Sequence, residues 1–184
     1  HTCITESLQQ GLPTILIVDS NNVRGKDDFE TWNCDLIKKL ASYRQRHNQT
    51  TTLEIVYAID HGCQPQAFEY PDGLIVFAGP HRTADDVIAQ ATRYFFSRDD
   101  YSPMMVVVVT SDGELRQRCL RTTDSSGKYK RKKQKTASGG VKVFGSPSLV
   151  SLLKEMEFQP DDDSAYLNGH LYHEVALIES DVRW

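Results

Sequence analysis

Short runs of branched apolar residues alternate along this chain with stretches in which apolar side chains return every three or four positions. The first run, Ile15-Leu-Ile-Val-Asp19-Ser-Asn-Asn22, is unbroken until it ends in a carboxylate, a small residue and two carboxamides. Such a run reads as a strand buried on both faces, which belongs in a mostly parallel sheet covered by helices. Leu53 to Ile59, Leu74-Ile-Val-Phe77, Met104 to Thr110 and Val141-Lys-Val-Phe144 read as further strands, giving a central sheet of about five. Between them lie helical periods: Phe29, Trp32, Leu36, Leu40 and Tyr43, opened by Asp27 or Asp28 and closed by the polar stretch His47 to Thr52; then Val87, Ile88, Ala91 and Phe95. A helix is predicted from about Gly113 to Leu120, and another after Ser146-Pro147, a good cap followed by proline, with Leu149, Leu152, Leu153 and Met156 on its inner face. The stretch from Asp60 to Gly73, with Pro65 and Pro71, reads as a loop with a short helix around Gln66 to Tyr70. The class is therefore α/β.

A chain of 184 residues can bury one sizeable core, so one domain is expected at residues 14–157, after a polar leader at 1–13 and before a polar tail at 158–184. The tail suits a partner-binding helix or a plain linker. The composition, 39% hydrophobic and 25% charged, is that of an ordinary soluble globular protein. The longest apolar run, Met104 to Val109, is far too short to span a membrane. The chain begins at His1 without an initiator Met, which points to a segment of a longer product or a processed form and leaves room for a removed targeting sequence. Cys3, Cys34, Cys63 and Cys119 show no CxxC spacing and are too sparse for a disulfide scaffold, so the expected compartment is intracellular, cytoplasm or organelle. The sequon Asn48-Gln-Thr50 is a match of the kind that arises by chance.

Charge changes the picture. The net charge is −4, yet Lys128, Lys130, Arg131, Lys132, Lys133 and Lys135 form one basic block, leaving 15 basic against 25 acidic residues elsewhere. An acidic body thus carries a basic arm, inside a polar, aperiodic insertion at 122–140 that reads as a loop.

Candidate chemistry gathers at the strand ends. Asp19, Asp60 and Asp112 each follow a predicted strand, and Asp85 and Asp86 lie in the first turn of a predicted helix. In a parallel sheet these positions share the carboxyl edge, where ligands of open α/β sheets bind. Four or five converging carboxylates repel and raise one another's pKa. An all-oxygen set without matching His or Cys favours a hard cation, Mg²⁺ or Mn²⁺. Such an ion activates water and neutralises charge on a phosphate, which describes phosphodiester hydrolysis. Each acid also has a plainer explanation: Asp19 capping the next turn with Asn22 in a left-handed position, Asp60 in a surface turn, Asp112 capping its helix, and Thr83 with Asp86 forming a capping box.

The motifs Ile15-Leu-Ile-Val-Asp19-Ser-Asn-Asn22-Val, Thr83-Ala-Asp85-Asp86-Val-Ile88 and Val-Val-Thr110-Ser-Asp112, in this order and spacing, resemble the NYN domains of the PIN-like nuclease superfamily, especially the YacP-like branch. The resemblance covers about residues 14–157. It implies a Rossmann-like (PIN-like) three-layer α/β/α sandwich and a metal-dependent endoribonuclease. By the same resemblance Asp19 matches the first-strand metal ligand, Asn22 the Asn of the D-x-x-N turn, Asp85 the acid of the A-D motif and Asp112 that of the T-S-D motif, while Asp86 and Asp60 are less secure matches. Ser20 stands where the family often has Gly, and the basic insertion is not part of the shared motifs.

The expected roles follow. Asp19, Asp85 and Asp112, with Asp86 and Asp60 as further candidates, bind Mg²⁺ or Mn²⁺; Asn22 orients a water or the scissile phosphate; activated water attacks in line and leaves a 5′-phosphate and a 3′-hydroxyl. Arg82 and Ser111, or Thr110, are placed to meet substrate. The basic arm from Lys128 to Lys135 suits the RNA backbone, with Tyr129 to stack on a base, although a localisation signal or a solvated loop would look the same. RNA is the expected partner, with a ribosome or RNA-processing complex as a candidate and no membrane; the sequence leaves the oligomeric state open. His170 and His173, at i,i+3 spacing, lack the further ligands that a metal site needs. Two other functions fit less well. One is an RNA-binding module that has lost turnover, against which the intact acids argue; the other is a phosphatase, whose D-x-D arrangement is missing at Asp19-Ser-Asn21.

Overall fold

The computed structural model describes residues 12–27, 32–47, 52–70, 73–97, 104–124 and 140–155. The leader, the basic block, Tyr129, the tail and the histidine pair lie outside the described residues.

The apolar runs form the sheet. Strand β1 (Thr14–Asp19) is buried along its whole length, as is β5 (Met105–Val109), and β2 (Leu53–Ile59) is buried except at one position. A strand with both faces buried has helices on both sides, and the core divides accordingly. On one face Leu16, Val18, Ile55, Tyr57 and Val107 pack against helices α2 (Asn33–His47) and α5 (Ser146–Glu155), which contribute Leu36, Ile37, Leu40, Leu149 and Leu153. On the other, Ile15, Ile17, Val56, Val106 and Val108 pack against α3 (Ala84–Ser97) and α4 (Gly113–Asp124) through Ala84, Ile88, Leu115 and Cys119. These three layers are the Rossmann-like α/β/α sandwich that the resemblance implies.

Six strands are present rather than about five, in the order β3-β4-β2-β1-β5-β6. β4 (Gly73–Gly79) and β6 (Val141–Phe144) run parallel with the others; β3 (His61–Tyr70) pairs antiparallel with β4 at the sheet edge. The loop and short helix predicted from Asp60 to Gly73 are thus corrected to a strand. Antiparallel edge strands tolerate proline and solvent, and β3 keeps only a half-buried Phe68 against Phe77, edge to face at 6.0 Å. Gly73 is required where this hairpin returns to the sheet: at φ +152° a Cβ there would lie 1.9 Å from the Ile55 carbonyl oxygen.

Chain order reverses at β1, whose neighbours are β2 on one side and β5 on the other. The crevice at the carboxyl ends of such a pair is where open α/β sheets bind ligands. A five-residue helix, α1 (Ser20–Arg24), and a 3₁₀ turn (Gly25–Asp27) follow β1 at once. α2 starts later than predicted: Trp32 precedes it and is 42% exposed, while Leu36, Leu40 and Tyr43 are buried as expected. Among the described residues, no helix is long and apolar enough to cross a membrane.

Candidate active site

Each strand that reaches the crevice delivers an acid, and each acid but one is held by hydrogen bonds. Asp19, 1% exposed, caps α1: its Oδ1 accepts from the Asn22 backbone N–H at 3.2 Å, and its Oδ2 accepts from the Asn22 amide at 2.7 Å and the Thr110 hydroxyl at 2.8 Å. Asn22 is helical, so only half of the plainer explanation for this stretch holds. Asp60 bridges two helix starts, accepting from the Asn21 amide at 2.9 Å and from the Ala84 backbone N–H. Asp112 caps α4 through Leu115 N–H at 2.7 Å, and its own N–H donates to the Thr110 hydroxyl at 3.0 Å, so Thr110 joins Asp19 to the Asp112 turn.

Asp85 is the exception. Among the described residues nothing donates a hydrogen bond to its carboxylate, although it sits in the first turn of α3, where an anion is normally favoured. Burial, and then the charges of Asp19, Asp112 and Asp60, push its pKa up to about 6; Arg118 opposes them weakly. Burial likewise raises the Asp19 carboxyl, against the hydrogen bonds from Thr110 and Asn22. Asp19, Asp60 and Asp112 therefore all bear on Asp85 across the crevice, and Asp85 holds its proton more readily than an ordinary carboxyl does.

Three expected site residues lie elsewhere or do another job. Asp86, a further metal candidate, is engaged by a helix cap and an ion pair. It completes a capping box, its N–H donating to Thr83 Oγ1 at 3.3 Å and its Oδ2 accepting from Thr83 N–H at 3.5 Å, and Arg118 holds its other oxygen at 2.7 Å. That pairing keeps the Asp86 carboxyl below its usual range. Arg82 turns along α3 to donate to Gln90 at 2.6 Å, lining an apolar groove of about 450 Å³ beside β3 and β4. Arg118, not Arg82, is the cation that bears on Asp85. Ser111 accepts from Ser146 N–H at 3.1 Å and so caps α5. The six basic-block residues, Lys128, Lys130, Arg131, Lys132, Lys133 and Lys135, lie outside the described residues.

Arg118 and Asn21 were not anticipated. Arg118 is three residues before Asp112's helix enters its last turn, one position from buried Cys119, and a helical wheel built on Leu115 and Cys119 would have turned it toward α3. Asn21 carries no such signal.

The donor chemistry fits a hard divalent cation: all donors are oxygen, and their mutual repulsion is what a cation would relieve. As the side chains stand, no three carboxylate, imidazole or thiol groups among the described residues form a ready metal cage.

No family model matches the chain, and no curated protein matches it. Among solved structures it is similar to a crystal structure of Rae1 (YacP) from Bacillus subtilis in a point-mutant form. The two are 14% identical, with 88% of this chain and 89% of that chain covered and a TM-score of 0.48.

Proposed function

We propose that the chain is a metal-dependent endoribonuclease whose site is the crevice between the carboxyl ends of β1, β2 and β5. The observation that carries the reading is the coupling of Asp19, Asp60, Asp85 and Asp112 at one edge, with Asp85 lifted to about 6 and without a hydrogen-bond donor among the described residues. Asp19, Asp85 and Asp112 would hold Mg²⁺ or Mn²⁺, with Asp60 behind them. When bound, the ion supplies an activated water at neutral pH and countercharge for the phosphate. The chain's own part is positional. Asn22 and Thr110 fix the Asp19 carboxylate in place, Asp60 ties α1 to the start of α3, and the Thr83–Asp86 box with Arg118 holds the turn that presents Asp85.

A second reading is supported by the capping bonds themselves: Asp19, Asp60 and Asp112 each stabilise a helix start, so these acids would be kept by an RNA-binding module without turnover. Cleavage of a mixed RNA pool by the purified chain with Mg²⁺, Mn²⁺ or EDTA separates the two. The expected result is metal-dependent cutting that leaves a 5′-phosphate and falls at least about 100-fold in Asp19→Asn and Asp112→Asn, in line with electrostatic contributions of this kind. Cutting that survives EDTA and leaves a cyclic phosphate would sink the metal mechanism, and no cutting with any metal would leave the binding module.

A further inference from the structure

On the face covered by α3 and α4 the sheet runs past its cover. α3 packs over β1, β2, β4 and β5, and the hairpin strand β3 extends the sheet beyond it. β4 shows the consequence. Ile75 and Phe77, which belong to the opposite face, are 0% and 1% exposed, whereas Leu74 and Val76 on this face are only half-buried. They floor the apolar groove of about 450 Å³ beside β3, which Ala67 walls on one side and Val87, Ala91 and Tyr94 of α3 on the other. Those three follow the i, i+4, i+7 spacing of a single helical stripe, and Tyr94 is 53% exposed. A contiguous exposed apolar patch of this kind marks an interaction site.

Charge narrows the choice of occupant. Exposed Arg82 donates to Gln90, a neutral partner, and exposed Arg93 lies one turn beyond Gln90; among the described residues neither has an ion pair. The groove therefore suits an apolar stripe edged with carboxylates. Residues 158–184 of this chain carry one. Leu171, Val175, Ile178 and Val182 recur at i, i+4, i+7 and i+11, with Glu174 and Asp181 on one flank of the stripe and Glu179 on the other. Their first three spacings repeat those of Val87, Ala91 and Tyr94, so at 1.5 Å of rise per residue both stripes run about 10.5 Å. The whole segment holds six acids against one arginine. Reach is sufficient: residues 156–170, which lead away from α5, span up to about 50 Å when extended. From β5 to β4 is three strand spacings, and from one helical layer to the other two layer spacings, about 35 Å in all.

We infer that residues 171–182 dock in this groove of their own chain, with the apolar stripe on Leu74 and Val76 and the carboxylates beside Arg82 and Arg93. A helix laid by its apolar face into a hydrophobic groove is a recurring mode of recognition. The inference stands apart from the nuclease reading, and its test reads structure, not cutting.

Amide hydrogen exchange of the full chain is followed by mass spectrometry over residues 170–182. In the parent these amides are expected to exchange at least about tenfold more slowly than in an unstructured peptide. Ala67→Asp/Tyr94→Asp, which sets carboxylates in the groove against those of the segment, should lose that protection, and Arg116→Asp, an exposed position on α4, should keep it. Slow exchange along β1 in the same spectra reports that the double variant is folded. Ile178→Asp changes nothing in the body of the sandwich; it too should lose the protection, and by opening the groove should raise the fluorescence of 8-anilinonaphthalene-1-sulfonate above that with Arg183→Asp. Absence of protection in the parent overturns the inference. Protection that survives in the folded groove variant also overturns it, since the segment then lies elsewhere, as it would if its acids met the basic block. Protection that falls on dilution overturns docking within one chain in favour of a second copy, and dye fluorescence equal in Ile178→Asp and Arg183→Asp counts against the groove even if the double variant does not fold.

Discussion

Asp85 reports on the crevice through its proton. Its folded pKa of about 6 lies above the ordinary carboxylate value, so between about pH 4 and pH 6 the native state holds more protons than the unfolded chain. Stability of the metal-free protein from this group is accordingly full below about pH 4 and declines as pH rises to about 6, and the raised Asp19 carboxyl adds in the same direction. Asp85→Asn should flatten that decline: melting temperature plotted against pH from 4 to 7 would fall less steeply than for the parent, and parallel curves would show that Asp85 does not carry the pH dependence. The placement of acids at the crevice was legible where a strand end fixes the direction of a side chain, as at Asp19 and Asp112. They were not legible where partner choice decides: neighbours Asp85 and Asp86 differ by one residue in sequence, and only the fold gives Arg118 to one and leaves the other facing three carboxylates.

At the level of elements, the strand most easily missed is the one with least burial. β1 and β5 announce themselves through runs of Ile, Leu and Val, and β2 does so apart from exposed Glu54, because two-sided burial leaves few polar positions. β3 has Pro65, exposed Cys63, Gln64 and Ala67, and a half-buried Phe68, a pattern that an edge strand and a loop share. The α1 helix was missed for a related reason: five residues have little period, and its stability comes from the Asp19 cap. The hairpin instead depends on its glycine. Gly73→Ala would drive a methyl group into the Ile55 carbonyl and separate β4 from β2, so a loss of at least about 2 kcal/mol is expected, or about 4–8 °C in melting temperature for a chain of this size. Full stability in that variant would show that the edge can shift without cost.

For the molecule as a whole, the proposed cation would link binding to folding, because the acids that repel come together only in the native state. Mg²⁺ or Mn²⁺ at 100 times its dissociation constant should stabilise the protein by about 2.7 kcal/mol, and Asp19→Asn should remove most of that gain. A thermal melt with and without the metal reads both, and equal shifts in parent and variant would place the ion elsewhere. The caps carry a longer consequence. Asp19 and Asp112 secure helix starts with the same carboxylates that stand at the crevice, and Asn caps a helix about as well as Asp does. In evolutionary terms, a descendant copy released from selection for chemistry has a cheap route open to it: exchange of aspartate for asparagine at these positions would silence the crevice while the shell persists, available for recruitment to another task.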